Sequence, residues 1–165
     1  TCEMTDLGAN LSSLDVSNQG IHSLKGVKMF KNLRTLICNT NYLKTLDIDG
    51  MNINTLKTDE NALETIICGS APVSNVNVSV SSYSNLKGLI DPDGNTSTTF
   101  TISGTHVQMV QVVGNSNLGY LNTVQCPSCF YIAVSGCKPG MKIHVNRSFS
   151  GNPNGLPAGA EVIKE

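Results

Sequence analysis

The 165-residue sequence predicts a mostly β solenoid of roughly six short coils, with parallel strands on both sides and few or no α-helices. Three observations carry this. An apolar phrase, apolar-x-x-apolar-x-(apolar, Cys or Thr), restarts every ten to thirteen residues. That interval leaves no room for a helix between strands, while the last two apolar positions of each phrase alternate as one buried strand face requires. Asn, Ser and Thr also make up 49 of the residues, a composition that competes with helical hydrogen bonding and suits turns and short strands.

The phrase occurs at Leu11-Leu14-Val16, at Ile21-Leu24, and then at Leu33-Leu36-Cys38, Leu43-Leu46-Ile48 and Ile53-Leu56-Thr58. It continues through Leu63-Ile66-Cys68 and Val73-Val76-Val78. Looser copies follow at Leu86-Leu89, Phe100-Ile102, Val107-Val110-Val112, Leu118-Leu121-Thr123, Ile132-Val134 and Ile143-Val145. Two phrases make one coil of about 21 residues, and coils stacked at ~4.8 Å form a rod about 30 Å long. A single coil cannot bury its own apolar row, so stability is a sum over neighbours. Asn41 and Asn61 each sit two residues before the next Leu. There a buried amide can satisfy backbone groups that no ladder reaches, and stacked amides form an Asn row. Thr105 and Cys126 read as the equivalents in later coils.

Residues 11–146 form the solenoid, with 1–10 as an N-terminal cap and 147–165, rich in Gly and Pro, as a C-terminal cap or linker start. A longer irregular coil spans 81–97, where Asp91-Pro92-Asp93-Gly94 is a turn signal. Net charge is −1 with 14% charged residues. Taken over the whole chain, this gives no electrostatic case for nucleic acid or an anionic membrane. No apolar run is long enough to span a bilayer as a helix.

"LRTLICNTNYL" and "INTLKTDENAL" resemble the leucine-rich-repeat phrase L-x-x-L-x-(L/C)-x-x-N-x-L. The opening "LSSLDVSNQGIHSLKGVKMFKNLRTL" is similar to the start of repeats in bacterial secreted and surface proteins of internalin type. The match is strong over 11–70, fair to 146 and absent beyond. The resemblance implies a right-handed solenoid acting as a non-catalytic recognition module, with a host protein, surface protein or glycan as partner. It also implies a monomer without cofactors, extracellular or on the bacterial cell surface, lipid- or wall-anchored through a segment outside this chain.

Candidate chemistry is sparse. Cys126-Pro-Ser-Cys129 has the spacing of half a zinc site or a redox pair. It lacks two further ligands, a βαβ context and a helix N-terminus to acidify a thiol. The favoured reading puts Cys126 in a turn and Cys129 at the start of the next half-coil; a local disulfide or a thiol/metal site is the weaker alternative. Cys38 and Cys68 fall on inward positions and read as core. "DPDGNT" has its Gly misplaced for a calcium loop, and Ile102 stands where the bidentate Glu is required. The sequons at Asn10, Asn77, Asn95 and Asn146 are what an Asn/Ser/Thr-rich chain yields by chance. His22, His106 and His144 have no nucleophile at a recognisable elbow, so no enzyme and no metal site are expected.

What remains is the outward strip of the Asn-side sheet face. Its expected contact residues are Thr35, Asn39, Lys57, Asp59, Tyr120, Asn122, Lys142 and His144, with Tyr120, Lys142 and His144 as the first anchor. The alternative is a structural spacer within a longer surface protein.

Overall fold

The structure, a computed structural model, describes residues 8, 10–73, 75–77 and 99–165. It is a β-solenoid of about six turns, essentially without helix. Strands alternate between two faces. The first face carries β1 (Ser13–Asp15), β2 (Thr35–Ile37), β4 (Thr55–Lys57), β6 (Asn75–Asn77), β8 (Met109–Gln111) and β10 (Tyr131–Ala133). The second carries β3 (Thr45–Asp47), β5 (Thr65–Gly69), β7 (Thr99–Gly104), β9 (Tyr120–Thr123), β11 (Lys142–Val145) and β12 (Glu161–Lys164). Every strand pair is parallel. A single 3₁₀ turn, Val27–Met29, widens the first coil.

The phrase dictates the core because period-2 alternation sends its apolar letters inward. Leu14, Leu36 and Leu56 lie side by side in register, as do Leu46, Ile66 and Ile102. Leu36, Leu46, Ile66, Ile102, Leu121 and Ile143 are fully buried or nearly so. Each contributes about 1.5–3 kcal/mol relative to an exposed position. Cys38 and Cys68 are also in this core.

Backbone conformation explains why polar residues sit at the turns. Residues Thr40 and Glu60 have left-handed φ of 57° and 57°, immediately before Asn41 and Asn61. Gly114 and Gly136 occupy the same place before Asn115 and Cys137. A β-branched residue pays a steric cost in that region which glycine avoids. Thr40→Gly is therefore expected to raise the unfolding free energy by about 0.5–1 kcal/mol, the relief of strain outweighing the extra freedom of the unfolded chain. A shifted denaturant midpoint at constant slope would record it.

Two sequence expectations are revised. Counting Leu86-Leu89 as a half-coil placed the strand near residue 99 on the Asn side. Instead β7 pairs directly with β5, and β8 with β6, so β7 belongs to the opposite face. Leu86-Leu89, the Asp91–Gly94 turn, Cys2 and most of the 1–10 cap lie outside the described residues. The second revision concerns 147–165. Its repeat phrase is lost but its winding is not. Asn154 bridges to Ala133, Phe149 is buried, and β12 pairs with β11 along its whole length. This segment adds another turn of backbone ladder.

Candidate binding faces

The first turn is organised by an amide in three of the described coils and by a thiol in a fourth. Asn41 accepts from the N–H groups of Gln19 (3.1 Å) and Ile21 (2.9 Å) and donates to the carbonyls of Val16, Cys38 and Asn39. Asn61 accepts from Leu43 N–H and donates to the carbonyls of Cys38, Thr58 and Asp59. The row passes to Asn115, which donates to the Val112 and Val113 carbonyls, and to Cys137, whose thiol donates to the Val112 carbonyl. Cys126, expected here, lies in the opposite turn, where its thiol donates to the Ile102 carbonyl; Thr105 is also on that side, its hydroxyl donating to the Gly69 carbonyl. Both shifts follow from the half-coil miscount. Asn115 was legible in "VQVVGN", which repeats the three-residue offset from Val112 that separates Cys38 from Asn41.

The expected contact residues fall into two groups on opposite faces. Thr35, Asn39, Lys57 and Asp59 lie on or just beyond β2 and β4 of the first face. Asn39 is committed to scaffolding, its amide oxygen accepting from Asp59 N–H at 3.0 Å. Burial raises the Asp59 carboxyl above its usual range, assisted by the neighbouring Glu60 charge.

Tyr120, Asn122, Lys142 and His144 stand on the second face. Register sets Tyr120 beside Lys142 and Lys142 beside Glu161, while Asn122 and His144 are adjacent. The Tyr120 and His144 rings meet with centroids 4.9 Å apart at 40°. His144 Nδ1 pairs with the Glu165 carboxylate, Lys142 is exposed, and Tyr120 and His144 are half-buried. Asn122 accepts from Val124 N–H, which steadies the strand exit. The tail thus brings two carboxylates to this group, a contribution hidden by the loss of the repeat phrase there. The first face holds its own unanticipated aromatic group: Tyr131 lies in register with Met109, next to Phe130, which is 54% exposed.

Cys126 and Cys129 are buried and not bridged to one another. All five described cysteines are free thiols in buried positions. Burial pushes Cys38, Cys68 and Cys126 up to about 12 and Cys129 and Cys137 up to about 11. Thiolate is the reactive form, so these five are expected to resist iodoacetamide at pH 8 in the native protein and to label fully in guanidinium. Intact mass before and after unfolding reads the difference. Among the described residues no three His, Cys, Asp or Glu side chains come together to hold a metal ion, and no helix is long and apolar enough to cross a membrane.

Comparison with protein-family models, with curated proteins and with solved structures finds no match to this chain.

Proposed function

We propose that the chain is a non-catalytic recognition module, of leucine-rich-repeat kind and similar to internalins. In this reading it acts outside the cell or on a bacterial cell surface and binds a protein or glycan. The observation that supports it is the cluster of Tyr120, Lys142 and His144, with Glu161 and Glu165, on an open parallel sheet. Hot spots are enriched in Tyr, Trp and Arg, and Tyr120 is the residue of this cluster that fits that description. A broad flat face offers contact area without enclosing a substrate. The second face replaces the Asn-side face as the preferred surface, because the anchor residues stand there.

Immobilised wild-type protein screened against surface-protein and glycan arrays should show saturable binding. Tyr120→Ala combined with Lys142→Ala should weaken it at least tenfold while leaving the melting temperature unchanged. Saturable binding that ignores both substitutions removes this face from the reading. The absence of any saturable ligand would favour a spacer.

A further inference from the structure

We propose that the first coil carries a binding site for an acidic polysaccharide, separate from the Tyr120–His144 face. The whole-chain net charge of −1 conceals a segregation. Residues 10–44 contain Lys25, Lys28, Lys31, Arg34 and Lys44 against Asp15 as the one carboxylate. Three of these cations, Lys25, Lys28 and Lys31, rim two adjoining pockets where the first coil meets the second.

The two pockets share Lys28 and repeat one recipe. One, of about 230 Å³, has Leu24 and Leu46 among its walls, with Lys25, Lys28 and Asp47 as its charges and the hydroxyls of Ser23 and Thr45 beside them. The other, of about 170 Å³, has Phe30 and Met51, with Lys28, Lys31 and Asp49. Lys28 Nζ stands 2.6 Å from Asp47 Oδ2, with both side chains partly exposed, so each group retains capacity for a further partner. Apolar wall, carboxylate and ammonium side by side match the three parts of a charged sugar: the C–H face of the ring, its hydroxyl donors and its anionic group. Two such pockets in succession suit consecutive units of one chain.

This composition discriminates between polyanions. A polyphosphate chain offers charge but no hydroxyl donors along its length, so Asp47 and Asp49 oppose it by like-charge repulsion with nothing in return. A uronic-acid or sulfated polysaccharide uses Asp47 and the Asp49 oxygen that Ser70 does not hold as acceptors, and the lysines as counter-charges.

The test is calorimetric titration of the full chain with polygalacturonate and with heparin, the two anion types. Inorganic polyphosphate, single-stranded DNA and phosphatidylglycerol vesicles serve as comparators. The expected result is saturable binding to at least one polysaccharide that weakens with added salt and falls at least tenfold in Lys25→Glu/Lys31→Glu. Asp47→Ala should weaken the polysaccharide and not the polyphosphate. Circular dichroism melts confirm that the variants fold, and Tyr120→Ala should leave this binding unchanged, which separates it from the proposed recognition face. Three results would overturn the inference: no polysaccharide binding, binding indifferent to the lysine substitutions, or Asp47→Ala tightening all polyanions alike. Tighter binding to DNA, polyphosphate or vesicles than to either polysaccharide would do the same.

Discussion

Asn61→Ala is expected to lower the unfolding free energy by about 3 kcal/mol, more than the corresponding change at Asn41. The amide of Asn61 ties three carbonyls and one N–H across two adjacent coils. Removal leaves the Leu43 N–H facing a dry turn, since Leu43 is itself fully buried. An unsatisfied buried backbone group costs about 1–3 kcal/mol, which sets the scale. The Cys38 carbonyl retains Asn41 as a donor, so it does not add a second full penalty. Asn41→Ala should cost less, about 2 kcal/mol, because the Gln19 and Ile21 N–H groups it releases are only partly buried and water can reach them. Urea titrations of both variants test the ranking. Equal losses, or a loss below 1 kcal/mol at Asn61, would remove the amide row from the stability of the fold.

Gly69→Ala is the second large effect, with an expected loss of about 3 kcal/mol. Gly69 has a φ of 54° at the point where β5 shifts register against β7. A Cβ there would run into the Asp49 carboxylate of the preceding coil. That carboxylate is held in place by accepting from Ser70 N–H at 2.9 Å and from the Ser70 hydroxyl at 3.2 Å. Those bonds also keep its acidity stronger than usual. The substitution therefore pays twice, in left-handed strain and in displacing a committed side chain. Adding Asp49→Ala to Gly69→Ala should recover only the part of the collision that involves the carboxylate, because the Asp49 Cβ also stands 2.7 Å from the added carbon. A double-mutant cycle with zero coupling would show that alanine is accommodated by backbone movement instead.

The sequence made some of this fold explicit and not the rest, for a definable reason. Inward positions were readable wherever the phrase held, because strand parity is local: Leu36, Cys38, Ile66 and Leu121 needed only their neighbours' letters. Asn41 and Asn61 were readable because their offset from the last apolar letter is constant. Which face a strand joins is not local, since it depends on how many half-coils precede it. The stretch between β6 and β7 adds residues without adding a strand to the β5–β7 or β6–β8 seams. One half-coil too many in the count then carried Tyr120, Lys142 and His144 to the wrong side together. The partners Glu161 and Glu165 were hidden because 147–165 keeps its backbone ladder without the apolar phrase. The Lys25–Lys31 band was obscured differently: a total charge near zero says nothing about where the charges stand.

The seam between β5 and β7 has a consequence for how this chain can change length. Across it, hydrogen-bonded partners are 36 positions apart, against 20 across the β2–β4 seam. Closing the longer interval costs only about 0.5 kcal/mol more in chain entropy, and doubling it again would cost about 0.6 kcal/mol. Ladders on either side stay in register whatever the interval's length, because each strand is aligned by its neighbour and not by the connection. This is where the rod can accept inserted sequence almost free of thermodynamic penalty. Outside the stretch between β6 and β7, in-register partners stay 19 to 22 positions apart, in coils whose turns are stitched by Asn or closed by left-handed residues and so hold their length within narrow bounds.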